Sequence, residues 1–407
     1  MINVGGGGVE GGDERLTTSE AALRLGVKPA TLYAYVSRGL IERHRGPDGS
    51  TFSVADVDRL AATGRRARDL PTIAFPSALT QIDGVVCRYR GEDVAALSRT
   101  RSFEQVAEWL WGGTWVDAPS WPTPLTVVDQ LAPAMAVVPE TALPLDRIRV
   151  ATAVAAALDD LRHDTTEAVA TATTRRLLRV LVHALPTVRR SKQPPSAAKE
   201  AERPLAHVLW RRLSPLKAPP ARIAVLDAAL VLLADHELAA STLAVRAAAM
   251  VRADPYEVVG TGLNVIGGIR HGGASLLVEP VLRDVMADGV AVAVGRRLRR
   301  GEQIAGFGHP LYAGGDPRAT ALLDRLDELD VEPKRVAAVR DLVDAVTGRG
   351  VPPPNVDVAL AGLGHAASMV GGAGQLIFAV ARTAGWMAHA LEQYEQPNFL
   401  RARTIPR

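Results

Sequence analysis

The sequence predicts a mainly α-helical protein in which a small N-terminal module precedes a large helical body. Hydrophobic residues make up 47% of the 407 residues but aromatic residues only 4%, so Ala, Leu and Val must fill most of the core. This composition favours closely packed helices over a β-sandwich, because strands favour β-branched and aromatic residues. Strand patterns are few and short, whereas apolar residues recur at intervals of three and four through most of the body.

The periodic segments of the body are separated by Pro and Gly, which end helices. They are Glu104–Leu110, Ile148–Leu161, Thr173–Ala184, Ala221–Ala234, Ala239–Val251, Ala274–Met286, Ala319–Leu329 and Leu376–Ala390. The main strand pattern is Ala78–Arg88. We therefore predict a disordered tail at residues 1–15, a compact module at 16–62, a linker at 63–72 and a helical body at 73–407.

Composition excludes several classes of protein. Charged residues make up 22% of the chain, so it is not disordered by composition, and the net charge of +3 decides little about partners. The single cysteine, Cys87, excludes an intrachain disulfide and a cysteine-based zinc site. The N-terminus lacks the pattern of a signal peptide. Arg382 and several glycines interrupt the apolar stretch Met369–Leu391, which favours a buried helix over a membrane span. We expect a cytoplasmic protein without a membrane partner.

The N-terminal module has the pattern of a winged helix-turn-helix. Thr17 and Glu20 form a capping box at the start of a first helix, and Pro29 starts a second helix that ends at Gly39. Leu40-Ile41 is a short strand candidate, and Gly46–Gly49 indicates a hairpin turn. A helix, a short turn, a second helix and a β-wing together are typical of this arrangement.

This module resembles the N-terminal DNA-binding domains of the MerR and excisionase families. The resemblance lies in Ser19-Glu20-Ala21-Ala22, Gly26-Val27, Thr31-Leu32-Tyr33, Tyr35 and Gly39-Leu40-Ile41. It implies that the second helix and the wing contact phosphates and base edges. The candidate DNA-binding residues are Lys28, Thr31, Tyr33, Arg38, Arg43 and Arg45. The alternative is that the module packs on the body or binds another protein.

Two histidines of the body stand among glycines, His271 in Gly267–Ala274 and His309 in Gly306–Tyr312. Glycines are poor helix residues and let the backbone approach a ligand closely, so both histidines should lie at helix ends or loop bends that face a cleft. His365 and His389 lie instead on apolar helical stretches. We predict that these two are core histidines with hydrogen-bond partners.

Two charged residues each allow two interpretations. Arg318 follows Asp316-Pro317, and it either clamps a carboxylate or makes a surface salt bridge. Asp357 enters an apolar run after Pro354-Asn355. A desolvated carboxylate there would have the raised pKa that a carbon-acid base needs, but Asp357 could equally cap the helix that follows. We see no metal-ligand spacing.

The body resembles citrate synthase over roughly four-fifths of the chain, and the motifs occur in the family's order. They are Ile82-Asp83-Gly84, Tyr89-Arg90-Gly91, Ser102–Ala107, Asp235-His236-Glu237-Leu238, Ser241-Thr242, His271-Gly272-Gly273-Ala274, Gly306-Phe307-Gly308-His309, Asp316-Pro317-Arg318, Pro354-Asn355-Val356-Asp357, Arg382 and Arg401-Ala402-Arg403.

The resemblance implies a catalytic role for three residues. Asp357 removes a methyl proton from the acyl-CoA, His271 donates a hydrogen bond to the thioester oxygen, and His309 polarises the ketone of oxaloacetate. It further implies that the carboxylates of oxaloacetate are bound by His236, Arg318 and Arg382, with Arg401 reaching in from a second subunit.

The resemblance also implies a large two-lobed, nearly all-helical domain with the site in the cleft between its lobes, and a homodimer. The expected reaction joins oxaloacetate to acetyl-CoA or propionyl-CoA and releases CoA, with no permanently bound cofactor and no metal. Sequence alone does not choose the donor, because one methylene in an apolar pocket is worth only about 1–3 kcal/mol. The alternative function is a DNA-binding regulator whose synthase-like body senses a metabolite.

Overall fold

The computed structural model describes residues 15–25, 27, 29–37, 40–46, 49–54, 56–57, 75–188, 196–312 and 314–396. The chain divides into two compact units, Met1–Pro76 and Ser77–Arg407. Several predictions lie outside the described residues, namely those for the tail up to residue 14, Lys28, Arg38, the linker at 63–72 and Arg401.

Within its described residues, the N-terminal unit combines short strands with two helices, and residues 54, 56 and 57 are also helical. Its elements are β1 (Arg15–Thr17), α1 (Thr18–Leu25), α2 (Pro29–Ser37), β2 (His44–Gly46) and β3 (Gly49–Ser53), and the antiparallel sheet has the order β1-β3-β2. The predicted capping box is present, because Glu20 Oε2 accepts the Thr17 N–H at 2.8 Å and Thr17 Oγ1 accepts the Glu20 N–H at 3.3 Å. A small core includes Leu32, Ile41 and Phe52.

Two local predictions for this unit need correction. Arg15, assigned to the tail, pairs with Ser53 in β1, and the next residue of that strand, Leu16, packs against the core. Leu40 and Ile41 do not form a strand. The Leu40 N–H donates to the Tyr35 carbonyl at 3.0 Å, which keeps this segment in the turn after α2, and the strand of the wing starts at His44.

The large unit begins with a small antiparallel sheet of order β4-β5-β6, formed by β4 (Thr80–Ile82), β5 (Cys87–Tyr89) and β6 (Glu92–Asp93). The helices that follow are α3 (Val94–Thr100), α4 (Phe103–Gly112), α5 (Leu125–Ala136), α6 (Pro144–Ala157), α7 (Glu167–His183), α8 (Ala197–Ala201), α9 (Leu205–Leu213), α10 (Pro220–Leu233), α11 (Ala240–Met250), α12 (Pro255–Ile266), α13 (Ala274–Asp288), α14 (Val290–Arg299), α15 (Pro317–Leu323), α16 (Pro333–Thr347), α17 (Val356–Ala366) and α18 (Ala373–Glu395), with a 3₁₀ turn at Leu326–Leu329. The predicted mainly helical fold is confirmed.

Helix α18 is the centre of the large unit. It is buried along nearly its whole length and packs against α10, α11, α12 and α17. Gly385 allows a close approach to the segment that follows α10, since a Cβ there would lie 2.5 Å from the Ala234 carbonyl oxygen. The stretch Met369–Leu391 is thus largely a core helix, and none of the described helices is long and apolar enough to span a membrane.

Candidate active site

The loop that carries His309 is bonded to the segment that leads into α17. The Gly308 N–H donates to the Pro353 carbonyl at 2.8 Å, and the Asn355 N–H donates to the Gly306 carbonyl at 2.8 Å. Gly306 has a φ of +92°, and a Cβ there would lie 2.8 Å from Val358 Cβ. Glycine is therefore required for this close approach, which brings His309 to the start of α17.

Asp357 does not cap α17. The cap is Asn355, whose side-chain oxygen accepts the Asp357 N–H at 2.9 Å. The Oδ1 of Asp357 is shielded from solvent and has no hydrogen-bond partner among the described residues. Burial raises the pKa of Asp357 to about 7 despite the opposing charge of Arg318, and Asp316 contributes to the rise. Asp357 therefore has the free oxygen and the near-neutral pKa of a general base.

Arg318 makes a buried ion pair rather than a surface salt bridge. Its Nε donates to Asp316 Oδ1 at 2.9 Å and its Nη2 donates to Asp316 Oδ2 at 2.8 Å. Asp316 also caps α15 and accepts the Val356 N–H at 3.3 Å, which ties the pair to α17. The bidentate contact fixes the plane of the guanidinium and holds the pKa of Asp316 below its usual value.

His236, His309 and Tyr312 form an aromatic cluster. The rings of His236 and His309 meet edge to face at 5.2 Å, and His236 Nε2 lies 2.9 Å from the Tyr312 hydroxyl. His309 Nδ1 accepts the Leu311 N–H at 3.1 Å, so the neutral ring carries its proton on Nε2. Burial lowers the pKa of both histidines, and Arg318 lowers them further. Both are therefore neutral at pH 7.

His271 lies in the turn before α13 and is positioned by α11. Its Nε2 is 2.8 Å from Ser241 Oγ, which also accepts the Trp386 indole N–H at 3.2 Å. The ring edge of His271 meets Phe378 at 5.7 Å. Burial lowers the pKa of His271 to about 4, with Arg382 adding to the shift, so this ring is also neutral at pH 7.

Arg382 is a fully buried arginine with unused donors. Its Nε donates to the Leu233 carbonyl at 2.9 Å, whereas Nη1 and Nη2 find no partner in the part of the chain that the structure describes. Burial lowers the pKa of Arg382, and the charge of Asp235, which is also completely buried, opposes this shift. Two buried N–H₂ groups of one cation are suited to a carboxylate, which can accept from both at once.

The structure brings six of the predicted site residues into one electrostatic cluster. Burial is the main cause of the low pKa of His236, and four neighbours lower it further, namely Arg318, Arg382, His309 and His271. Arg318 also lowers the pKa of Asp357. The seventh residue, Arg401, lies outside the described residues. A group of His, Cys, Asp and Glu side chains placed to hold a metal ion is not found among the residues described here.

Sequence reasoning missed the contacts that orient these side chains. It assigned no role to Tyr312, although this residue lies one turn beyond His309. It quoted Ser241 without a function, and nothing in the local sequence pairs it with His271 or Trp386. His389 is a core histidine with Asp235 and Arg246 as partners, as predicted. The same prediction for His365 is wrong, because its Nε2 is buried and finds no partner within the described ranges.

The predicted DNA-binding residues that the structure describes lie on α2 and the wing. Tyr33 is 40% exposed, and the guanidinium of Arg43 lies 5.7 Å from its ring centroid. Arg45 is exposed on β2, and Thr31 is half-buried in the first turn of α2. Tyr33, Arg43 and Arg45 thus offer aromatic and cationic groups to solvent.

Known proteins match both units. Residues 70–403 match the family model "Citrate synthase, C-terminal domain", and residues 15–65 match "Helix-turn-helix domain". Citrate synthase 2 of Bacillus subtilis is 29% identical over 352 residues, which cover 81% of this chain and 92% of the relative. The 2-methylcitrate synthase 2 of Corynebacterium glutamicum is 28% identical over 212 residues, covering 51% and 55%.

Solved structures show the same fold. The ternary complex of carboxymethyl coenzyme A and oxaloacetate with citrate synthase from Thermoplasma acidophilum superimposes with a TM-score of 0.65 at 23% identity, covering 84% of this chain and 95% of that one. Citrate synthase from Thermotoga maritima gives a TM-score of 0.63 at 21% identity, covering 84% and 96%.

Proposed function

The chain belongs to the citrate synthase family, and on that basis we propose that it condenses oxaloacetate with acetyl-CoA or propionyl-CoA to give citrate or 2-methylcitrate and free CoA. The observation that carries the proposal is the carboxyl group of Asp357. Its Oδ1 is buried and unpaired within the described ranges, and its pKa of about 7 lets it accept a proton from carbon near neutral pH. The acyl-CoA is a co-substrate, and the proposal includes no resident cofactor.

The first step of this proposal forms an enolate that is stabilised by a hydrogen bond. Asp357 takes a proton from the carbon beside the thioester, and neutral His271 donates a hydrogen bond to the thioester oxygen. Ser241 Oγ already accepts from Trp386, so it can give its own proton to His271 Nε2, which leaves the ring proton on Nδ1. That Nδ1–H is then the donor for the oxygen on which negative charge develops.

The second step activates oxaloacetate. The Nε2–H of His309 donates to the ketone oxygen, and the unpaired Nη1 and Nη2 of Arg382 bind one carboxylate. In the same proposal Arg318 and His236 bind the other polar groups of the substrate. The enolate carbon attacks the ketone carbon, the ketone π bond breaks as the carbon–carbon bond forms, and the new alkoxide takes the proton of His309 Nε2. The proton held by Asp357 is then released through solvent and restores the ring proton of His309. Water finally attacks the thioester carbon, its oxygen becomes part of the new carboxylate, one of its protons leaves with the CoA thiol and the other goes to solvent.

We also propose that the protein is a cytoplasmic homodimer in which Arg401 of one subunit completes the site of the other. This arrangement supplies a further cation for the carboxylates of oxaloacetate. Light scattering of the purified full chain measures the mass directly, and a monomer at concentrations that support turnover would exclude a shared site.

The release of CoA thiol by the full chain tests the reaction. We expect thiol release from acetyl-CoA or propionyl-CoA that depends on oxaloacetate. The donor with the higher kcat/KM identifies the product, which is citrate from acetyl-CoA and 2-methylcitrate from propionyl-CoA. Asp357→Asn removes the base with little change in shape, and it should lower kcat by about 100- to 10,000-fold. Asp341→Asn, at an exposed position on α16, is the matched control and should leave the rate unchanged.

Folded protein that releases no thiol from either donor would refute the proposed reaction. Release that persists in Asp357→Asn at the wild-type rate would refute the role of Asp357 while leaving the reaction intact. The two failures are therefore distinguishable in one series of assays.

A second candidate function is DNA binding by the N-terminal unit. It is supported by the helix-turn-helix match at residues 15–65 and by the group of exposed Tyr33, half-buried Arg43 and exposed Arg45. In this alternative the synthase-like body senses a metabolite. The fluorescence anisotropy of a labelled random-sequence duplex should rise with added protein and fall steeply between about 50 and 200 mM salt, because phosphate contacts release counterions.

The double variant Arg43→Ala/Arg45→Ala should weaken this binding, whereas Arg99→Ala, which removes an exposed arginine from α3, should not. Equal binding by all three proteins would exclude the wing as the DNA contact. Adding oxaloacetate tests the sensing model, which requires the affinity for DNA to change.

A further inference from the structure

A cavity of about 400 Å³ lies in the large unit where α13, α16 and α17 meet the connection to α18. Its polar lining consists of Glu279, Arg283, Arg335, His365 and Ser368. These residues differ from those of the candidate active site, and the reaction proposed above does not use them.

His365 contributes a buried ring nitrogen to this cavity. Its Nε2 is shielded from solvent and has no hydrogen-bond partner in the described part of the chain. Burial lowers its pKa to about 4, and the nearby Arg335 and Arg283 lower it further, so the ring is neutral at pH 7. An unpaired buried nitrogen costs free energy, which a ligand that bonds to it would recover.

Two arginines provide positive charge at the cavity. Arg283 is exposed on α13, and no ion pair or hydrogen bond of its guanidinium occurs among the described residues. Arg335 donates from Nη1 to the His365 carbonyl at 3.0 Å, and its Nε lies 3.4 Å from Glu332, so its position on the wall is fixed. A free guanidinium beside an anchored one can bind an anionic group from two sides.

Glu279 adds an acceptor to the cavity. Its Oε1 accepts the Gly372 N–H at 2.9 Å, and burial raises its pKa although this hydrogen bond and the charge of Arg283 oppose the shift. Its Oε2 faces Gly371, where a Cβ would lie 3.7 Å away. Ser368 stands on the same wall with a φ of +52°, a strained value for a residue with a side chain. The cavity therefore presents donors for an anion and an acceptor for a hydroxyl or amino group.

We propose that this cavity binds a small organic anion that also carries a hydroxyl or amino group, with its carboxylate or phosphate on Arg283 and Arg335 and its donor on Glu279. His365 Nε2 makes a further hydrogen bond to this ligand. The cavity joins elements that carry site residues, since α13 follows His271 and α17 begins beside Asp357. Any effect of the ligand on turnover rests on the proposed function, but its binding does not.

Calorimetric titration of the full chain tests the proposal, with saturating oxaloacetate present to occupy the first anion site. The probes are AMP, which offers a phosphate with hydroxyls, and L-glutamate, which offers carboxylates with an amine. Two further probes are controls, since inorganic phosphate offers the anionic group without the carbon-bound hydroxyls and glycerol offers the hydroxyls without the anionic group. We expect AMP or glutamate to bind at least about tenfold more tightly than phosphate or glycerol, because a hydrogen bond to a charged group is worth that factor.

Two variants connect the binding to the cavity. Arg283→Ala and His365→Leu should each weaken the preferred probe by at least about tenfold, while the control Arg99→Ala should not. His365→Leu should melt no lower than wild type without ligand, because it removes a buried unpaired nitrogen. The proposal is overturned if neither AMP nor glutamate binds better than phosphate and glycerol, or if either cavity variant binds as wild type does.

Discussion

Replacing Asp357 by Asn should stabilise the large unit while lowering kcat by about 100- to 10,000-fold, and the gain in stability should increase with pH. The pKa of Asp357 is about 7 in the folded protein, compared with 3.8 for an ordinary aspartate. The folded state thus holds the proton more tightly than the unfolded state. The stability that this carboxyl contributes therefore falls as the pH rises from about 4 to 7, and it stays constant above that range.

The size of the effect follows from the two pKa values. A difference of about 3 units disfavours the folded state by about 4 kcal/mol at pH 8 and by about 2 kcal/mol at pH 5. Because Asp357 keeps part of its surface exposed, these values are upper limits. Asn has no charge at either pH, so the variant should gain up to these amounts relative to wild type.

Urea unfolding followed by tryptophan fluorescence measures this gain in the large unit. All six tryptophans, from Trp109 to Trp386, belong to that unit, so the N-terminal unit does not contribute to the emission. The midpoint of Asp357→Asn should exceed that of wild type by more at pH 8 than at pH 5, and Asp341→Asn should show no such trend. A variant less stable than wild type at pH 8, or an equal difference at both pH values, would refute the account of a desolvated base.

Three further substitutions test other parts of the site. Arg382→Leu should raise the KM for oxaloacetate by at least about 100-fold in steady-state assays, because it removes a bidentate charged contact. Ser241→Ala should lower kcat about tenfold or more with little change in the KM for oxaloacetate, because His271 Nε2 then loses the hydrogen bond that fixes the ring proton on Nδ1. Gly306→Ala should lower the free energy of unfolding by about 1–3 kcal/mol in urea, since φ is +92° and the added Cβ would lie 2.8 Å from Val358.

Local features of the fold were predictable because they depend on neighbouring residues. Thr17 and Glu20 cap α1 through contacts three residues apart, and the glycines around His309 indicate the bend that the structure contains. The strand of the wing was predicted at Leu40-Ile41 but begins at His44. Ile41 is apolar because it packs in the core, and the burial of a side chain gives no information about backbone pairing.

Features of the site that depend on distant parts of the chain were not predictable in the same way. The sequence and the resemblance identified His271 and His309 as site residues. Their tautomers, however, depend on Ser241 for His271 and on the Leu311 N–H for His309. His365 shows the reverse failure. An apolar helical stretch predicts burial well, yet it cannot tell whether another helix supplies a hydrogen-bond partner.

The bonds between residues 306–308 and 353–355 have a consequence for how this enzyme can diverge. They are made mostly by backbone atoms, with the Asn355 amide as the side-chain exception, so they do not depend on the identity of most residues nearby. His309 and Asp357 can thus keep their spacing while an exposed side chain of the loop, such as that of Leu311, is exchanged. Substitutions at such exposed positions can accordingly accumulate over many generations without disturbing the distance between the two reacting groups.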